Sequence, residues 1–185
     1  MRRNSGLKFF FIIVILIIAS VFIIRACNTK SSITEEKFIQ TMEAAGYFVF
    51  DARLPENTEN STYTSKLANF DDYKSPLTKH VAIYGERSEV IFMVYNNEEN
   101  AVQVEKRYEN AQQLKVYKDD FMSQDYKGDS KNSVRRKGDN YQRYYTKTLT
   151  DDYILISQID NTLLVANISK YDIQEFNKLM IKIGY

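Results

Sequence analysis

Apolar residues run without interruption from Phe9 to Ile24, with Ser20 the one polar residue among them. Extended to Leu7–Ala26, the stretch is long enough, at 1.5 Å per helical residue, to make a helix of about 30 Å, the thickness of a bilayer core. Lys8 and Arg25 stand near its ends, where long side chains carry their charges out to the interfaces. The pattern predicts a membrane anchor or signal over residues 1–27, a short polar linker over 28–33 and one domain over 34–185.

Within that domain the periodicity changes several times. Thr34 followed by Glu35 and Glu36 reads as a helix N-cap, with Ile33 and Phe38 at the staple positions and Gly46 as a left-handed stop. Tyr47–Ala52, Thr78–Tyr84 and Glu89–Tyr95 read as strands, with Gly85 to Ser88 turning the second into the third. From about Asn97, Ala101, Val104, Tyr108 and Ala111 form a helical stripe. Its end falls between Gln113 and Met122. Residues 53–77 and 123–140 are polar enough to read as loops. Tyr141–Thr148, Tyr153–Gln158 and Thr162–Ile168 then predict three further strands. Ser169 and Asp172 stand at capping-box spacing before a last helix with the face Ile173, Phe176, Met180 and Ile183. The expected fold is α+β, in the order α-βββα-βββα: an antiparallel sheet of about six strands with amphipathic helices packed on one face. Phe38-x3-Met42-x3-Gly46-Tyr47 recurs as Phe176-x3-Met180-x3-Gly184-Tyr185, from either a shared packing need or a duplicated βββα unit.

Charge sharpens the division at residue 27. Arg2, Arg3, Lys8 and Arg25 precede it with no acid among them, so a net charge of +1 for the whole chain leaves the body slightly acidic. That body carries no electrostatic footprint for nucleic acid. Cys27 is the single cysteine, so the domain rests on packing without an internal disulfide. The short basic head and the long downstream body predict an N-terminus inside and the domain on the extracytoplasmic face of the cytoplasmic membrane. Two modes of attachment fit: an uncleaved signal anchor, or cleavage after Ala26 with a lipid on Cys27. Arg25 departs from the uncharged box that normally precedes a lipidated cysteine, so both stay open.

Thr34, Glu36, Phe38, Met42, Gly46 and Tyr47, with Asn97 to Tyr108, Asn140-Tyr141, Tyr145-Thr146 and Ile159 to Thr162, resemble the motifs of a family of small exported proteins. These are membrane-anchored proteins, often lipoproteins, from low-GC Gram-positive bacteria, and their function is unknown. The resemblance spans most of residues 34–185. It implies an extracytoplasmic address and brings no catalytic, metal or cofactor residues.

The residues themselves offer no cofactor motif. His80 is the only histidine and reads as a surface or edge position in a strand. The acidic pairs Asp71-Asp72, Glu98-Glu99, Asp119-Asp120 and Asp151-Asp152 follow no calcium-loop spacing. The stretch 127–143 stands apart, with Lys127, Lys131, Arg135, Arg136, Lys137 and Arg143 against Asp129 and Asp139 and tyrosines directly after. Such a stretch suits an anionic surface. The expectation is a tethered, non-enzymatic binding or interaction module at the cell envelope, held by the membrane through residues 7–26 and meeting an envelope protein or ligand. The alternatives are an envelope enzyme whose carboxylate site is assembled only on folding, and electrostatic docking of 127–143 onto anionic lipid or wall polymer.

Overall fold

A computed structural model describes residues 12–16, 29–53, 74–85, 88–122, 133–147 and 152–185, with side chains omitted for 111–122 and 133–135. Residues 12–16 are helical; the rest of the predicted span 7–26, Cys27 and most of the loop 53–77 lie outside the described residues. Among the described residues no helix is long and apolar enough to cross a membrane.

The domain begins with α1 (Glu35–Ala44), capped as its sequence predicts: the Lys37 amide donates to Thr34 Oγ1 at 3.2 Å. Gly46, at φ +85°, lets the Tyr47 amide turn back onto the Met42 carbonyl at 3.0 Å and close the helix. Then follow β1 (Phe48–Asp51), β2 (Thr78–Tyr84), β3 (Ser88–Val94), α2 (Glu98–Met122), β4 (Ser133–Lys137), β5 (Tyr141–Lys147), β6 (Tyr153–Ile159), β7 (Thr162–Ile168) and α3 (Ile173–Ile183). The strands form one antiparallel sheet in the order β1-β2-β3-β7-β6-β5-β4. The α+β class stands, but the sheet has seven strands, not six. The added one is β4, from the segment 123–140 that reads as a loop. It sits at a sheet edge, where only one neighbour pairs with it, so the polar run Ser-Val-Arg-Arg-Lys needs no buried face.

The helices do not share one face, which corrects the expected packing. Phe38 and Met42 of α1 and Phe176, Met180 and Ile183 of α3 join Ala82, Val90, Phe92, Leu155, Leu164 and Ala166 in one core. Ala101, Val104 and Tyr108 of α2 join Val81, Ile91, Met93, Ile156, Leu163 and Val165 on the other side of the sheet. The central strands are apolar at successive positions, as in Val90-Ile91-Phe92-Met93, and both of their faces must therefore be covered. The repeated Phe-Met-Gly-Tyr motif has a packing explanation. α1 and α3 lie on the same face and end in the same cap, Gly184 at φ +89° returning the Tyr185 amide to Met180 at 2.9 Å. The helices that follow β3 and β7 lie on opposite faces, so the two βββα units do not repeat in space.

The expected capping box at Ser169 does not form. Asp172 is the N-cap of α3, and its carboxylate accepts a hydrogen bond from the Ser88 hydroxyl at 2.5 Å, tying the helix start to β3.

Candidate functional site

On the face under α1 and α3, strand register sets seven residues side by side across the sheet: Asp51, His80, Phe92, Leu164, Ser157, Arg143 and Arg136. In-register residues share a face. The row is apolar at its centre, where Phe92 stacks on Phe38 of α1 with ring centroids 4.8 Å apart. Its two ends carry ionisable side chains, Asp51 and His80 at one and Arg143 and Arg136 at the other.

At the basic end Arg143 lies between Tyr141 and Tyr145 on β5 and directly opposite Arg136 on β4. Like charges in that position repel across the strands. The Arg143 Nε donates to Ser157 Oγ at a long 3.4 Å, while its Nη2 is buried with no hydrogen-bond partner. Burial, with Arg136 adding to it, pulls the guanidinium pKa down, against the opposing pull of the Tyr141 and Tyr185 phenols. Arg136 and Arg143 open onto a cavity of about 230 Å³, walled by Tyr145, Leu155, Asn177 and Met180. Burial, helped by Tyr153, pushes the Tyr145 phenol up to about 12. Tyr145 is thus a neutral hydroxyl at ordinary pH, able to donate as well as accept.

Lys30 completes the cluster from the linker. Its amide donates to Asn140 Oδ1 at 3.0 Å and its carbonyl accepts from Asn140 Nδ2 at 2.7 Å, a clasp that fixes it at the β4–β5 turn. Its ammonium lies 5.7 Å from the Tyr141 ring centroid. Its pKa is lowered first by burial and then by Arg143 and Arg136. None of Lys30, Arg136 and Arg143 forms an ion pair among the described residues. Guanidinium and ammonium groups so placed have the chemistry to hydrogen-bond an anion with several oxygens.

Of the sequence-predicted contacts, the structure brings Arg136 and Arg143 together. Lys137 is exposed at the end of β4, paired in register with Gln142. Arg135 pairs with Tyr144, one step off the row. Lys127 and Lys131 lie outside the described residues. Tyr145 is one of the tyrosines that follow the basic stretch, two residues from Arg143 on β5; Lys30 and Asn177 carry no sequence signal for this role and come from segments far along the chain.

The opposite end of the row is neutralised. His80 is not at a surface or edge, as its sequence suggests. It is buried in the second strand, with Nε2 2.6 Å from Glu35 Oε1 on α1. Asp51 pairs with Arg53 at 2.7 Å, and Arg53 also donates to the Leu77 carbonyl.

The acids bring together less chemistry. Glu35 and Glu36 line a second cavity with Thr34, Ile39 and Gln40. Consecutive helical residues diverge by about 100°, and each already has a partner, His80 for Glu35 and Gln40 for Glu36. Glu105 and Glu109 are buried one turn apart on α2, yet neither cavity reaches them. Among the described residues no group of three His, Cys, Asp or Glu side chains is placed to hold a metal ion. Asp71-Asp72 and Asp151 lie outside those residues, as do the side chains of Asp119-Asp120. Comparison with family models, curated proteins and solved structures returns no match.

Proposed function

We propose that this chain is a membrane-tethered binding module on the extracytoplasmic face of the cell envelope, and that its ligand is an anion received between β4, β5 and α3. The observation that supports this reading is the cluster of Lys30, Arg136 and Arg143, which has no ion pair among the described residues, with Arg136 and Arg143 lining the cavity and Arg143 Nη2 buried and unpaired. Burying an uncompensated guanidinium costs stability, so a ligand that supplies acceptors is the natural complement. The tether rests on the apolar run of residues 7–26 and on the resemblance to small exported proteins. The exposed Ile12, Ile13, Ile15 and Leu16 of residues 12–16 are in keeping with it.

The test uses the full chain in nanodiscs of neutral lipid. Its unfolding temperature is followed with inorganic polyphosphate, with glycerol 3-phosphate, or in discs containing phosphatidylglycerol. At least one of these anions is expected to raise it, and Arg143→Gln is expected to abolish the rise. The reading is lost if none does. It is also lost if the chain turns over an envelope substrate and Glu105→Gln or Glu109→Gln stops that turnover.

A further inference from the structure

The segment joining the apolar run to the domain is not a free linker. Asn140 grips both backbone polar groups of Lys30 and also donates to Asp160 at 2.8 Å, so one side chain joins the linker to the β4–β5 and β6–β7 turns. One residue on, the Ser31 carbonyl lies against Gly184, 3.6 Å from where a Cβ would stand. The linker is thus seated where β4–β5, β6–β7 and α3 all end. Lys30 lies four residue steps beyond Ala26, a reach of about 14 Å at most for an extended chain. Whichever way the chain is held, by residues 7–26 spanning the membrane or by a lipid on Cys27 after cleavage, this end of the domain stays next to the bilayer.

The same end is furnished for a lipid surface. Arg136 and Lys137 are exposed on the edge strand. Ile181, 78% exposed, and the exposed Lys182 stand on the last turn of α3. An apolar side chain beside cations is the pattern of an interfacial contact. The cavity repeats that pairing inside, with Arg136 and Arg143 on one wall and Leu155 and Met180 on another.

From this geometry we infer that the Arg136–Arg143 cavity takes the phosphate headgroup of an anionic phospholipid from the leaflet in which the chain is itself anchored. The inference rests on the tethered-module reading and adds the ligand and its source. The lipid phosphate meets the Arg143 guanidinium where it opens onto the cavity, and the fork matches two of its oxygens once the guanidinium turns to bring the buried Nη2 towards them. Tyr145 and Asn177 stand beside the same space to donate. Glycerol carbons lie on Leu155 and Met180, and Lys137 and Lys182 meet neighbouring headgroups. Within a Debye length of about 8 Å such contacts escape most salt screening.

The experiment reads amide hydrogen exchange of the full chain in two sets of nanodiscs, phosphatidylcholine alone and an equal mixture with phosphatidylglycerol. Exchange over residues 136–145 and 177–185 is expected to slow by about threefold or more in the mixed discs. Arg143→Gln is expected to remove that slowing, while Glu175→Gln, at an exposed position elsewhere on α3, keeps it. Arg136→Gln, at an exposed position that leaves the core untouched, is expected to weaken it, so the reading does not depend on one variant's folding. Equal exchange in both discs overturns the inference. So does slowing that survives Arg143→Gln but disappears with Lys137→Ser, since the contact is then superficial. If soluble glycerol 3-phosphate gives the same protection in neutral discs, the ligand is a free phosphate ester and the lipid source is wrong, while the binding-module reading stands. Failure of the chain to travel with discs at all overturns the tether itself.

Discussion

The two ends of the Asp51–Arg136 row use charge in opposite ways. At one end His80 and Asp51 each meet a counter-group within 3 Å, Glu35 at 2.6 Å and Arg53 at 2.7 Å. At the other, Arg136 and Arg143 face each other in register with Lys30 near them, and none of the three forms an ion pair among the described residues. The first arrangement holds α1 to the sheet. The second costs stability and gives nothing back to the fold, which is why the proposed ligand is placed there. Both ends hang on one apolar centre, so the contrast is chemical and not a matter of one end being better packed.

Changes in the centre of the row are expected to weigh most. Phe92 is fully buried and stacked on Phe38. Phe92→Ala should lower the unfolding free energy by about 3–5 kcal/mol in a denaturant titration. A loss no larger than that from either end would mean that the row is not carried from its middle. Next comes Glu35→Ala, which leaves the buried His80 imidazole without its partner. It should cost about 1–3 kcal/mol in the same titration. Arg143→Met should do the reverse, raising stability by about 1 kcal/mol because an uncompensated guanidinium is replaced by an apolar chain of similar length. Opposite signs at Glu35 and Arg143 are the sharpest expression of the contrast, and equal losses at both would erase it.

The smallest effects lie in the pH dependence. The hydrogen bond from Arg53 holds the Asp51 carboxyl below the usual carboxylate range. A depressed carboxyl contributes stability above its unfolded value of about 3.9, and that contribution is lost as pH falls through the folded value. Arg53→Ala should therefore flatten the acid limb of a stability profile. At the basic end the Tyr145 phenol is raised to about 12, chiefly by burial. The unfolded chain releases this proton first, above about 10, so stability drains away as pH climbs from there towards 12. Tyr145→Phe should remove that alkaline loss and leave the acid limb unchanged.

Local signals transferred well where the chemistry was local. Thr34 caps α1, Gly46 and Gly184 close their helices, and Ala101, Val104 and Tyr108 form the buried stripe of α2. The signals misled where a partner distant in the chain changed the demand. Ser133–Lys137 lacks an apolar alternation because an edge strand needs none. Asp172 does not serve a capping box because Ser88, on another strand, takes its carboxylate. His80 is buried because α1 brings Glu35 over it.

The same division governs the candidate site. Composition alone singled out a basic stretch beside tyrosines, and Arg136 and Arg143 lie within it. Which of its six cations converge was set by register: β4 must pair with β5 for Arg136 to face Arg143, and β5 with β6 for Ser157 to reach its Nε. Lys30 enters through a bond to Asn140 that spans 110 positions. By itself the sequence determined an apolar N-terminal segment ahead of an α+β body, the helix caps and most strands, because these depend on neighbours a few residues apart. Only the tertiary structure decided the second covered face, the seventh strand and the linker seated at the basic end, because each depends on residues that meet only when the sheet has closed.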